Sequence, residues 1–246
     1  MDGGGRAGEA HQVIPVGRNA HCILVDRTNR YVFVPTLGTD QVFQFVFDAG
    51  TGRLAANTPP VLQLKAGTGP RHLAFSNDNR FVYVLSELMG TVTTLALDAA
   101  SGRLSEQGCE SILPADTPLR PGLPRIGVGT PATNQVPRDT TLDIWASDLH
   151  LTPDNRFLYA AERTGSTLSY LAVDAASGRL TRLGSVATER QPRGFAIDPA
   201  GRHLVVSGEK SDTISVYAIG SDGAPVFLDR YPGGRGANWV EIVATE

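Results

Sequence analysis

Cysteine is scarce in this chain: only Cys22 and Cys109 occur, in separate segments and without metal-ligand spacing. That rules out a disulfide framework and a cysteine-based metal site, and it fits a reducing compartment, so the cytoplasm is the expected location. Long hydrophobic runs are missing as well. No stretch approaches the roughly 20 apolar residues that span a bilayer as a helix, and the opening MDGGGRAGEAHQ has no apolar core to serve as a secretion signal. No membrane partner is expected. With 22 Lys+Arg against 25 Asp+Glu, the net charge is -3, so no excess of one sign recruits nucleic acid. Aromatics make up 7% and do not alternate with a basic stripe, which also argues against a nucleic-acid platform. The chain has no P-loop, no G-x-S-x-G elbow and no H-E-x-x-H. GGGRAG and GGRGAN lack a strand-to-helix context, so neither a metal nor a dinucleotide cofactor is expected.

What is present is a repeat. HCILVDRTNRYVFVPTLGTDQVFQFVFDAGTGRL aligns with RHLAFSNDNRFVYVLSELMGTVTTLALDAASGRL, with LHLTPDNRFLYAAERTGSTLSYLAVDAASGRL and with RGFAIDPAGRHLVVSGEKSDTISVYAIGSDGAPV. Anchored on Arg30, Arg80, Arg156 and Arg202, the copies are spaced by 50, 76 and 46 residues, the period of a four-stranded propeller blade apart from one insertion. Apolar and polar residues alternate within YVFVP, VFQFVF, FVYVL and TISVYAI, and helical periodicity is absent. The reading is all-β: a β-propeller of four-stranded antiparallel blades, four of them complete, over residues 12–246 after a flexible terminus at 1–11. HQVIPVG reads as an outer strand of a preceding blade and NWVEIVATE as an inner strand of a following one. The insertion, about 114–139, is rich in Pro, Gly and Thr, and reads either as an irregular excursion or as a lid over a site.

Four antiparallel strands, A to D from the axis outward, send their A–B and C–D turns to one face and their B–C and D–A connections to the other. The first face carries only Asp/Asn/Gly/Ser turn chemistry, as in SNDNR and DAASGR. The second gathers His21, Arg71, His72, Glu87, Asp148, His150, Arg163, Arg193, Glu209 and Lys210, with Arg18 and Trp239 nearby. Arginine suits bidentate recognition of carboxylate or phosphate, while Glu and His transfer protons. Each residue also has a plainer role. Arg71 and Arg193, both in a PR context, suit inter-blade ion pairing, and His72, Asp148 and His150 suit blade-to-blade hydrogen bonds. Arg163, Glu209 and Lys210 suit solvated tips.

GTGPRHLAF, LSEL, SDLHLTPDNRFLYAAERT, RQPRGFAID and GEKSDTISVY occur in the order seen in the lactonase family of seven-bladed propellers, which this chain resembles from about residue 12 to its end. That family includes bacterial phosphogluconolactonases and carboxy-cis,cis-muconate cyclases. The resemblance implies hydrolysis of a sugar lactone, foremost 6-phospho-D-glucono-1,5-lactone, and a small anionic lactone as partner. Its alternatives are a muconate-lactonising cyclase and a non-catalytic propeller scaffold. It places the active set of one His, two Arg and one Glu on His21, Arg71, Arg193 and Glu87. Arg71 and Arg193 would bind the anion and polarise the carbonyl, and His21 or Glu87 would activate water; Lys210, His150 and Arg163 would add substrate contacts. Seven blades of about 40–50 residues exceed 246 residues. The expectation is therefore an N-terminally truncated relative whose open blade edges favour self-association.

Overall fold

Asn29, Asn79 and Asn155, and Gly201 in the fourth repeat, all adopt the left-handed conformation that a tight A–B turn demands. The residue that opens each turn caps it. Asp26 and Asp198 accept backbone N–H bonds from the two residues that close their turns, and the Ser76 and Thr152 hydroxyls accept from Phe81 and Phe157. This local chemistry repeats four times and yields four hairpins.

The computed structural model describes residue 6, residues 8–124 and residues 139–244. Its first sheet comprises β1 (Leu24–Val25), β2 (Tyr31–Thr36), β3 (Gln41–Asp48) and β4 (Arg53–Gln63). The second comprises β5 (Pro70–Phe75), β6 (Phe81–Ser86), β7 (Thr91–Asp98) and β8 (Arg103–Ser111). The third comprises β9 (Ala146–Leu151), β10 (Phe157–Glu162), β11 (Thr167–Val173) and β12 (Leu180–Ala187). The fourth comprises β13 (Pro192–Ile197), β14 (His203–Gly208), β15 (Thr213–Ile219) and β16 (Pro225–Pro232). Each is a four-stranded antiparallel meander in sequence order, as the repeat predicts.

The core lies in the seams between blades. One apolar cluster joins Tyr31, Phe33 and Val42 to Leu73, Val82 and Leu95; a second joins Tyr83 and Leu85 to Leu149, Leu158 and Leu171; a third joins Tyr159 and Leu168 to Phe195 and Val206. Strands β2, β6 and β10 are buried along their whole length: β6 and β10 lie between two blades, and β2 lies between the second blade and the segment that carries Ile14 and Val16. A lock recurs at each seam. The first aromatic of strand B lies over a positive-φ glycine in the next blade's C–D turn: Tyr31 over Gly102, Phe81 over Gly178, Phe157 over Gly223. Burying such a ring contributes about 1.5–3 kcal/mol, and only glycine leaves room for it. Arg80 and Arg156 donate across the same seams to carbonyls of Ala175 and Ser221.

Both end segments depart from the sequence expectation. Residues 11–17 and 238–244 form no strand ladder. Instead Gln12 pairs its side-chain amide with both backbone groups of Leu54, and Ile14 and Val16 cover Val32, Val34 and Phe45 on the outer face of the first blade. Side-chain amide bonds satisfy what a ladder would otherwise supply. At the other end, Asn238 and Trp239 press their backbone against Gly194 of β13. Of the flexible terminus expected at 1–11, residues 1–5 and 7 lie outside the described residues, while His11 approaches Gly52 in the place where the other seams hold an aromatic ring. Of the 114–139 insertion, residues 125–138 lie outside the described residues. Its flanks are built into the rim: Gly122 N–H donates to Leu88 O, and beside it Ile144 N–H donates to Arg120 O while Arg120 N–H donates to Leu142 O.

Candidate active site

The B–C tips fold onto the links that precede each blade. Glu87 and Leu88 donate backbone N–H bonds to Gly69 and Thr68, Arg163 to Trp145, and Glu209 and Lys210 to Gln191 and Arg190. The face predicted to hold the chemistry is thus one continuous rim. Within it, β-bulges interrupt the register between Pro70 and His72 and between Pro192 and Gly194. Each bulge holds an arginine, Arg71 or Arg193, out of the normal alternation, the usual way a strand re-aims a side chain.

Arg71 is only 2% exposed. Its Nε donates to Glu87 Oε2 at 2.7 Å, and its Nη1 donates to the Ser147 carbonyl and to His72 Nε2. Glu87 Oε2 also accepts from Arg163 Nη2 at 3.1 Å, while Oε1 accepts from Trp145 Nε1 at 3.1 Å. The Arg163 guanidinium lies 3.7 Å from the centre of the Trp145 ring, a cation–π stack. Burial, and after it the charges of Arg71 and Arg193, push Arg163 down to about 9 against the pull of Glu87. It stays protonated at neutral pH. One carboxylate therefore holds two buried guanidiniums, and both its oxygens are engaged. Glu87 is a clamp in this geometry, with two charged donors on Oε2 and the Trp145 indole on Oε1.

His21 stacks on His72 with ring centroids 5.0 Å apart. Partial burial, then the charges of Arg71, His72 and Arg193, lower it to about 3. It is a neutral imidazole with an exposed edge. Burial likewise lowers His72, against the hydrogen bond it makes to Asp148. Arg193 pairs with Glu209 Oε1 at 2.9 Å and is the most accessible guanidinium of the cluster, with its side chain 36% exposed. Its charge also acts on Arg71. His21, Arg71, Glu87, Arg163 and Arg193 therefore form one electrostatic unit, joined to His150 through His72 and Asp148. Lys210 is exposed on the same rim, its backbone N–H donating to Arg190 O. Three guanidiniums face three carboxylates, Glu87, Asp148 and Glu209, so the cationic surplus expected from the sequence is balanced in the fold.

Beside this cluster runs a cavity of about 680 Å³ along the inner strands, lined by His21, His72, Asp148, His150 and, from the C-terminal segment, Trp239. Among the described residues no group of three or more His, Cys, Asp or Glu is placed to hold a metal ion, and no helix is long and apolar enough to cross a membrane. Sequence reasoning missed Trp145. Its place in the D–A link DIWASDLH, just before an inner strand, was the available signal.

A family model described as lactonase, 7-bladed beta-propeller, matches residues 8–242. The chain belongs to that family. It is 37% identical to a 6-phosphogluconolactonase of Sodalis glossinidius over 99% of this chain and 67% of the relative. It is 36% identical to one of Serratia proteamaculans over 91% of this chain and 61% of the relative. Among solved structures, the periplasmic gluconolactonase of Pseudomonas aeruginosa is similar with a TM-score of 0.73 and 30% identity, over 89% of this chain and 55% of that one. A Bacteroides fragilis protein shares the fold, with a TM-score of 0.75 at 24% identity over 92% of this chain and 58% of that one. The chain thus spans between about half and two thirds of the length of these proteins.

Proposed function

We propose that this chain carries the substrate-binding rim of a lactone hydrolase acting on 6-phospho-D-glucono-1,5-lactone. The observation that carries the reading is the partly exposed Arg193, backed by the buried Arg71–Glu87–Arg163 clamp and by a cavity lined by His21, His72 and His150, in a chain whose relatives are named 6-phosphogluconolactonases. Arg193 takes the substrate phosphate or carboxylate by exchanging Glu209 for it, and Lys210 adds to the field at the mouth. Arg71 and Arg163, too buried to be reached directly, set the positive potential that polarises the lactone carbonyl from behind. His21, held neutral, accepts a hydrogen bond from a sugar hydroxyl.

The same reading puts the protein in the cytoplasm, supported by two unpaired cysteines, Cys22 and Cys109. The edge strands expose Leu24 and Val25 on one side and Val226, Phe227 and Leu228 on the other, which supports self-association. Light scattering on the eluting protein is expected to give a mass above that of one chain, and a monomer at all concentrations rejects it. The function itself is tested by following lactone opening with purified protein. Acceleration over the spontaneous rate is expected for 6-phosphogluconolactone and much less for unphosphorylated gluconolactone. No acceleration of either, with no binding of 6-phosphogluconate, rejects the reading.

A further inference from the structure

Asp148 stands between two imidazoles. Its Oδ1 accepts from His72 Nδ1 at 2.8 Å and from the Leu149 backbone N–H at 3.0 Å, and its Oδ2 accepts from His150 Nε2 at 3.2 Å. An ionised carboxylate has no proton to give, so both ring nitrogens that face it carry theirs. Burial works against ionisation here, but the hydrogen bonds from His150 and His72 hold the carboxyl well below the usual carboxylate range.

The two imidazoles differ in what is left over. His72 has both nitrogens in use, since Nε2 accepts from Arg71 Nη1 at 2.9 Å. His150 has Nε2 bound to Asp148, and among the described residues nothing bonds to its Nδ1. Strand alternation in β9 puts Asp148 and His150 on one face, and both line the cavity along the inner strands. The carboxylate is almost fully buried while the His150 side chain is 40% exposed. Phe195 meets the His150 ring edge-on at 4.7 Å and limits its rotation. The other two candidate bases are poorly placed: Glu87 is tied to two guanidiniums and the Trp145 indole, which weaken it as a base, and His21 sits in the field of Arg71 and Arg193.

We propose that Asp148 and His150 form the proton-transfer dyad of this site, with His150 Nδ1 as the base and Asp148 as the residue that positions it; the inference rests on the lactonase reading above. A water oxygen bonds to the lactone carbonyl carbon as one of its protons passes to Nδ1, and the carbonyl oxygen takes the negative charge. When that intermediate collapses, the bond from the carbonyl carbon to the ring oxygen breaks. The imidazolium returns its proton to the departing oxygen. The products are a hydroxyl and a carboxylic acid, which ionises to solvent, and His150 is neutral again. Asp148 stabilises the transient imidazolium without itself being protonated. His72 ties the dyad to Arg71, so the charges facing Asp148 are Arg71 behind His72 and, past it, the Arg163–Glu87 pair.

The test combines kinetics with a readout that needs no turnover. His150→Gln and Asp148→Asn are each expected to lower kcat for 6-phosphogluconolactone by about 10²–10⁴-fold, the usual share of general acid–base catalysis, with KM moved less than about threefold and 6-phosphogluconate binding retained. The double variant is expected to be no slower than the worse single one, because the two residues act as one unit. Nitrogen-15 spectra are expected to show His150 as the Nε2–H tautomer in the native protein and to lose that preference in Asp148→Asn, a variant that also guards against a folding artefact if His150→Gln is unstable. An active native protein whose His150→Gln variant keeps its kcat overturns the dyad alone, as does an Nδ1–H tautomer. A native protein that does not open the lactone at all overturns the lactonase reading and the catalytic role together.

Discussion

Arg71 and Arg163, one from the second blade and one from the third, donate to the same oxygen of Glu87 at 2.7 and 3.1 Å. Both guanidiniums are 2% exposed, so neither can turn to water if the carboxylate is lost. The site is held together by a charge arrangement that is also part of the core.

Glu87→Gln is therefore a stability variant before it is a catalytic one. Removing one partner of a buried ion pair typically costs about 3–5 kcal/mol, and here two cations lose their shared anion. Urea unfolding is expected to show an unfolding free energy lowered by that order and a correspondingly lower midpoint, with the larger loss for Glu87→Ala. An unchanged midpoint contradicts the clamp.

Arg193 and Glu209 make the opposite prediction, because their pair is partly open to solvent. Glu209→Gln frees the guanidinium for an incoming anion and is expected to lower KM for the phosphorylated lactone a few-fold, with little effect on stability. Arg193→Ala loses a charge-assisted bond and is expected to raise that KM by about 10- to 100-fold, while unphosphorylated lactone is affected less. Equal effects on both substrates count against anion recognition by Arg193.

His21 is lowered to about 3 in the folded protein from an ordinary value of 6.5, and His72 is lowered too. The unfolded chain therefore binds more protons than the folded one below pH 6.5, so stability is full above that pH and falls as pH drops from 6.5 toward 3. Unfolding midpoints measured from pH 7.5 down to 4 are expected to decline. The decline is expected to be shallower in His21→Gln, and a native-like slope in that variant rejects the assignment.

The lock between Phe81 and Gly178 can be tested away from the site. A Cβ at Gly178 meets the Phe81 ring at 2.6 Å, and the backbone there is left-handed with φ at +68°. Gly178→Ala is expected to destabilise by about 1–3 kcal/mol through overpacking, plus the φ penalty. Gly67→Ala shares a positive φ of +79° but has open space around it, so it reports the backbone cost alone. Similar thermal shifts in the two variants contradict the lock.

Much of the architecture was legible in the sequence because it is local. The Asn and Gly positions of the A–B and C–D turns, the alternation of the strands and the spacing of the repeats are enforced within a few residues, and their structure follows from backbone sterics and turn chemistry. The gathering of His21, Arg71, Glu87 and Arg193 on one rim was readable for the same reason: parity of reversals assigns each connection to a face.

What each of those side chains does was decided only by the tertiary structure. Glu87 reads as an acid on a loop tip, yet it is held by Arg71 and by Arg163, 76 residues further along the chain. His150 reads in the sequence as a hydrogen-bonding or substrate-contact residue no different from His72, yet Asp148 and Phe195 hold its ring while both nitrogens of His72 are used. The sequence by itself determined four repeated sheets and which rim would carry charge. Partner choice within that rim depends on how closely separate blades pack and how much water they exclude, and no local pattern encodes a distance between residues brought together across a seam.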